Sequence, residues 1–315
     1  MPWTPNNLAT KGALASFHQA MEAGETVYDK HSQTVNSVTA TETFSFPGFL
    51  PNPKLFIDSR QFQGARDFTF TVTDNDYELS MLTTRKAWED DQTGLINQRY
   101  GEAGEIWRSY KDVLFATLLT TGNVSGSNGF DGTTFHSASH ASGTTGLVVD
   151  NDITENWADT GVGTAAEFLT SVNYVRQQFL SYTDDQGRYG YNKVAVNNLR
   201  YIVPPGHARG AFEAMNQVAY TGGSGATGEF GRFLTGVDVM PELAGATGYS
   251  AAEIFISALG SVRKPFIYQE RTPLEIIIKA GAEDVALNNG VMLLTRQRFI
   301  LTYGDFRRNC LDTIT

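Results

Sequence analysis

The stretch from Thr93 to Thr121, TGLINQRYGEAGEIWRSYKDVLFATLLTT, is the longest unbroken helical pattern in the chain. Ile96, Tyr100, Ala103, Trp107, Tyr110, Leu114 and Leu118 return at steps of three and four, the spacing that aligns one face of an α-helix. No proline interrupts it. Asp91 and Thr93 offer side-chain oxygens to its first turn, and Gly122 followed by Asn123 supplies the stop. At the α-helical rise such a helix would run to ~43 Å. Glu102, Glu105, Arg108, Lys111 and Asp112 fill much of the remaining surface, so the apolar stripe is narrow. A long helix clad on one side is a strut laid across a sheet. That suits a large shell as well as an α+β enzyme, and the flanking sequence has to separate the two.

Upstream, residues 1–12 carry two prolines and no periodicity, which reads as an extended arm. Ala13, Leu14, Phe17, Ala20 and Met21 then give a short amphipathic helix ended by Gly24. Such a helix cannot bury its stripe alone and needs a partner surface in its own chain or in another copy. From Thr41 to Thr84 the period changes to two, with Phe44, Phe46, Phe68, Phe70 and Val72 alternating with polar residues around the turn formers Pro47, Gly48, Pro51, Pro53 and Gly64. This predicts a long hairpin with an irregular tip, too thin to be stable alone. In a monomer such a ribbon is an aggregation hazard, whereas in an assembly it is a contact.

Downstream of the strut, 122–163 is a loop region rich in small residues, with one short strand at Leu147 to Val149. Phe168, Val172, Val175 and Phe179 predict a second helix capped by Thr164, and Asp184 to Gly187 a turn. Strands are expected at 193–197, 200–203, 237–240, 254–259, 274–279 and 291–303, and a third helix around Ala208 to Met215.

Composition narrows the function. With 315 residues the chain can bury a sizeable core, and its 41% hydrophobic content indicates a folded protein. A net charge of −10 argues against a sequence-independent grip on nucleic acid, which rests on lysine and arginine. One cysteine, Cys310, excludes an internal disulfide framework. No basic-then-apolar leader and no apolar run near ~20 residues is present, so secretion and membrane insertion are not expected.

Candidate chemistry is sparse. His136 and His140 are four apart, as in zinc sites, but the intervening Ser-Ala-Ser sits in a small-residue loop without further ligands. The glycine-rich run Gly222 to Gly228 lacks the Lys-Ser/Thr of a phosphate loop. Asp74-Asn75-Asp76 and Asp150-Asn151-Asp152 read better as turns than as calcium loops, and Cys310 has no adjacent histidine. No cofactor or metal is expected. An enzyme or binding module built on the glycine-rich loop or on the histidine pair remains the competing class.

Several motifs in shared order carry a resemblance. They are Leu82 to Asp91, with Arg85, Trp88, Glu89 and Asp90; Asp131-Gly132, Phe135 and His140; Ile202-Val203-Pro204-Pro205; Arg263-Lys264-Pro265 running to Glu270-Arg271; and Tyr303-Gly304-Asp305-Phe306. With these the chain resembles the major head subunits of Mu-like bacteriophages, a branch of the capsid proteins with the Hong Kong 97-type fold. The resemblance implies an α+β fold and a non-enzymatic role as an icosahedral shell protein enclosing DNA. It implies an N-terminal arm at 1–40, an extended loop at 41–90, a peripheral domain at 91–164 with the strut as spine helix, an axial domain at 165–285 and returning strands at 286–315. Of these, Arg85, Trp88, Glu89, Asp90, Arg263, Lys264, Pro265, Glu270, Arg271, Tyr303, Gly304, Asp305 and Phe306 become candidates for assembly contacts. The implied partners are further copies in pentamers and hexamers, a separate scaffolding protein, a portal and a decoration protein, with no membrane. The implied location is the virion, after assembly in the host cytoplasm. A cellular nanocompartment shell of the same fold is the nearest alternative.

Overall fold

The computed structural model describes residues 7–39, 41–49, 66–91, 93–142, 147–158, 162–183, 192–216, 220–221, 227–228 and 234–315. The spine helix spans Leu95–Thr120. Its start is fixed by the Asp91 carboxylate, which accepts hydrogen bonds from the Leu95 and Ile96 N–H groups at 3.0 and 3.2 Å.

Two sheets flank the spine. The first has the strand order Ser32–Asn36, Phe266–Lys279, Gly290–Tyr303, Asn75–Thr84. Its antiparallel register sets Leu293 between Ile278 and Met81, and Thr295 between Ile276 and Leu79. Alternation therefore turns one apolar face toward the spine helix. The second has the order Leu234–Val239, Leu199–Val203, Glu253–Ala258, Asn309–Ile314, Asp152–Glu155. Helix Ala165–Ser181 buries Phe168, Val172, Val175 and Phe179 in the main core together with residues of this sheet. A capping box between Thr164 and Glu167 starts that helix, as its sequence predicts.

The spine stripe is not continuous. Ile96, Tyr100, Ala103 and Trp107 pack with Leu293 in one cluster, whereas Phe115, Ala116 and Leu119 enter the larger core. The buried face rotates between them because each half of the helix meets a different body. Tyr110, expected in the stripe, is consequently 41% exposed.

The partner surface that the arm helix needs is supplied by its own chain. Asn7–Glu22 lies along the spine with Ala13 and Phe17 fully buried in the cluster of Tyr100, Ala103 and Trp107. The reason is the close approach at Gly104, where an added Cβ would stand 2.4 Å from the Phe17 carbonyl oxygen. Burying a phenylalanine side chain stabilises by roughly 2–3 kcal/mol, which a free arm would forgo.

Of the stretch 41–90, the ribbon takes Thr41–Phe49 and Arg66–Thr73, paired antiparallel with Phe44 opposite Phe70. Among the described residues these two strands pair only with each other. Asn75–Thr84 is instead an edge strand of the first sheet, because Tyr77, Leu79 and Met81 find cover against the spine. The C-terminal strand Asn309–Ile314 belongs to the second sheet, while Gly290–Tyr303 lies in the first. The strand expected at 193–197 is a 3-10 turn, Ala195–Asn197, following the wholly buried Asn192. The Asp184 to Gly187 turn and the tip of the ribbon fall outside the described residues, as does the glycine-rich run 222–226.

Candidate assembly site

The candidate assembly residues gather at three places, while the Ile202 to Pro205 motif lies apart from them, in a strand of the second sheet and the turn that follows it. At the entrance to the spine, Thr84 caps the short helix Arg85–Glu89, and Arg85 bonds Glu89 at 2.8 Å on the exposed side. Trp88 turns inward, edge-on to Tyr100 with ring centroids 6.3 Å apart, and Asp90 ends the turn through its N–H to the Lys86 carbonyl.

The second place is the junction between the sheets. The Gly304 N–H donates to the Pro265 carbonyl at 2.8 Å, and a Cβ at Gly304 would lie 2.8 Å from that same oxygen. Arg308 donates to the Arg263 carbonyl at 2.7 Å, and the Lys264 ammonium to the Asp29 carbonyl at 2.8 Å. The Tyr303 hydroxyl ties this junction to the end of the spine through the Leu118 carbonyl at 2.9 Å. Asp305 caps the turn Phe306–Arg308 and contacts the Arg307 guanidinium at 3.0 Å.

Phe306 stacks on His140 with centroids 3.8 Å apart, and His140 contacts Asp131 at 2.7 Å. His136 instead faces Asn309 at 2.6 Å, and burial pushes its pKa down to about 4, so it is neutral at physiological pH. The two imidazoles therefore serve separate contacts, and among the described residues no group of three ligand-type side chains is placed to hold a metal.

Asn151, which motif reading left as a turn residue, is the centre of this region. Its carboxamide accepts from the Ser137 N–H at 2.9 Å and donates to the Phe135, Phe306 and Asn309 carbonyls at 2.8, 3.1 and 3.1 Å. Asn151→Ala is expected to cost about 2 kcal/mol, because it removes the partner of the Ser137 N–H and a donor shared by three carbonyls, although Phe306 and Phe135 each keep a second contact, from the Asn309 N–H and His140. A denaturant midpoint unchanged from the parent would show that water replaces these bonds.

At the third place, the base of the ribbon, Glu270 accepts from Gln297 at 2.8 Å and Arg271 reaches Asp74 at 3.3 Å.

A further set of charged residues, invisible to motif reading, clamps helix Val27–His31 between spine and second sheet. Asp112 accepts the Val27 and Tyr28 N–H groups at 3.0 and 2.9 Å. Asp238 receives a bidentate Arg200 with both contacts at 2.7 Å, together with His31 at 3.0 Å and Lys30 at 3.1 Å. Burial alone would raise the Asp238 pKa, but the bonds from His31 and Arg200 outweigh it and hold the group well below the usual carboxylate range.

Several large apolar side chains remain partly exposed. Ile106, Tyr110 and Val113 follow one another along the spine at 57, 41 and 39% exposure, and Leu82 and Ile277 look out from the far face of the first sheet.

The sequence model of the family described as the Mu-like prophage major head subunit gpT matches residues 7–170. The chain belongs to this family. The major capsid protein of Escherichia phage Mu is 26% identical over 106 residues, a match that takes in 34% of this chain and 35% of the Mu protein. The chain thus matches about a third of the length of that curated relative. Among solved structures, the procapsid of bacteriophage JBD30 superposes with a TM-score of 0.53 at 17% identity, covering 97% of this chain and 74% of that one. The capsid of cyanophage P-SCSP1u gives 0.60 at 11% identity, covering 92% of this chain and 88% of that one. The chain therefore has the fold its motifs implied, the Hong Kong 97-type capsid fold.

Proposed function

We propose that this head-subunit chain builds a closed icosahedral shell from many copies of itself, through pentamers and hexamers, and acts as a structural component and not as a catalyst. The observation that carries this reading is the ribbon. Thr41–Phe49 and Arg66–Thr73 form a two-stranded sheet that pairs with no other described strand, although Phe44 and Phe70 sit opposite each other along it. Two-stranded ribbons are marginal in water, so this one gains its burial on a neighbouring copy. The exposed Ile106, Tyr110 and Val113 of the spine offer apolar surface of the same kind. On this reading the first sheet with the spine forms the peripheral body and the second sheet with Ala165–Ser181 the axial body. Arg263, Lys264, Glu270 and Arg271 lie where the two bodies and the ribbon meet.

The net charge of −10 suits a container whose lining does not adhere to packaged DNA. A scaffolding protein, a portal and decoration proteins complete the assembly in the host cytoplasm, and the finished shell resides in the virion. Deleting Gly48 to Gly64 is expected to leave a folded chain that no longer closes into particles when produced with its assembly partners. Intact shells from that deletion, seen by negative-stain microscopy, would count against the ribbon as the main contact.

A further inference from the structure

The ribbon leaves the first sheet through a very short joint. Thr73 is the last residue of the ribbon ladder, opposite Thr41, and Asn75 is already paired with Phe299 in the sheet. Asp74 alone stands between them. Its side chain is fully buried, which for a carboxylate demands a compensating charge. Two arginines from two different strands provide it, Arg271 at 3.3 Å and Arg298 at 2.7 Å. Arg271 is in position because the register between Phe266–Lys279 and Gly290–Tyr303 slips there: Glu270 faces Phe299 and Thr272 faces Arg298, which leaves Arg271 as the extra residue of a bulge. Bulges re-aim side chains, and this one aims a guanidinium at the joint.

The other root of the ribbon is held at the same level. The Ser37 N–H donates to the Glu270 carbonyl at 2.8 Å, one residue before the bulge, and the Ser37 hydroxyl donates to Glu42 at 2.9 Å.

We propose that the grip of Arg271 and Arg298 on Asp74 is a latch that sets the angle at which the ribbon leaves the body of the subunit, with the backbone of Asp74 as the pivot. Both neighbouring segments are laddered, so rotation at this one residue is the least costly way for the ribbon to change direction. The latch opposes that rotation by tying the pivot to two strands of the sheet. In the shell it would decide which neighbouring surface the ribbon reaches, and to that extent it rests on the function proposed above.

The test uses the full-length, unassembled chain with spin labels at Thr69→Cys on the ribbon and Ser80→Cys on the sheet, both exposed positions, while the native Cys310 is buried. Asp74→Asn and, separately, Arg271→Gln are then introduced. The expected result is a narrow label-to-label distance distribution in the parent that broadens in both variants. Amide exchange should rise about tenfold at Thr73 to Asn75 while Leu293 and Thr295 stay protected. An unchanged distribution would overturn the latch. So would a joint loss of protection at Leu293 and Thr295, since the cluster would then be holding the sheet together and not the ribbon angle. The distances are read on single chains, so they judge the latch whether or not shells form. Particle formation by the parent chain judges the shell reading separately.

Discussion

Gly104→Ala is expected to lift the amino-terminal helix off the spine. A Cβ at this position would stand 2.4 Å from the Phe17 carbonyl oxygen, 3.2 Å from its carbon and 3.3 Å from the Met21 nitrogen. All three are backbone atoms of the facing helix, so no side chain can swing aside. Either the two helices separate by about an ångström along this stretch, losing the contacts of Ala13 and Phe17, or the arm undocks. Overpacking of this kind costs about 1–3 kcal/mol. Gly101→Ala is the matched control, because its nearest facing atom, the Ser16 carbonyl oxygen, is 3.9 Å away in ordinary contact. Replacing a helix-interior glycine where there is room stabilises by up to about 1 kcal/mol. The two alanines, one turn apart, should therefore shift the denaturation midpoint in opposite directions. Protease cleavage between Glu22 and Thr26 should speed up only for Gly104→Ala. Equal behaviour of the pair would mean that the close approach carries no energetic weight.

The same two glycines show what the sequence could and could not convey. Helical periodicity made the spine legible, and the turn chemistry at Asp91 and Thr164 set its boundaries and those of the later helix. Gly101 and Gly104 read only as weak helix formers inside a long pattern. Their use, admitting a second backbone, depends on which element is opposite, and spacing within one helix does not say that. The switch of buried face between Trp107 and Phe115 was hidden for a related reason. A single stripe assumes a single partner, and this helix has two.

The motif region was legible by position and not by cause. Tyr303-Gly304 stood out in order with Arg263-Lys264-Pro265, but only the 2.8 Å approach of a Gly304 Cβ to the Pro265 oxygen says why glycine is needed. Asp131 and His140 were likewise placed in one motif, and their 2.7 Å contact explains the pairing. The charged clamps had no local signal at all. Asp238 meets residues of the arm 207 and 208 positions away, and Asp74 was read as part of a surface turn when it is wholly buried.

Asp312→Asn is expected to stabilise the subunit at alkaline pH and to change little in acid. Asp312 is fully buried in the second sheet, where one carboxyl oxygen accepts the Ser171 hydroxyl at 2.6 Å and the other has no hydrogen-bond partner among the described residues. Burial, with Glu155 adding repulsion, raises its pKa from 3.8 to about 7. A carboxyl group with a raised pKa holds its proton in the folded state after the unfolded chain has released it. Stability therefore falls as pH climbs from about 4 to about 7, and the full penalty persists above that. At roughly 1.4 kcal/mol per pH unit between the two values, the penalty is on the order of 4 kcal/mol. Asparagine accepts the Ser171 bond and carries no charge to bury, so the variant should unfold at higher denaturant than the parent at pH 8. The two should converge by pH 4. Glu253, raised to about 7 by burial and by Asp152, acts in the same direction but is more solvated, so Glu253→Gln should give a smaller alkaline gain. A parent stability that is flat from pH 4 to 8, or an Asp312→Asn variant weakened at pH 8, would mean that this carboxylate is ionised and compensated in the folded subunit.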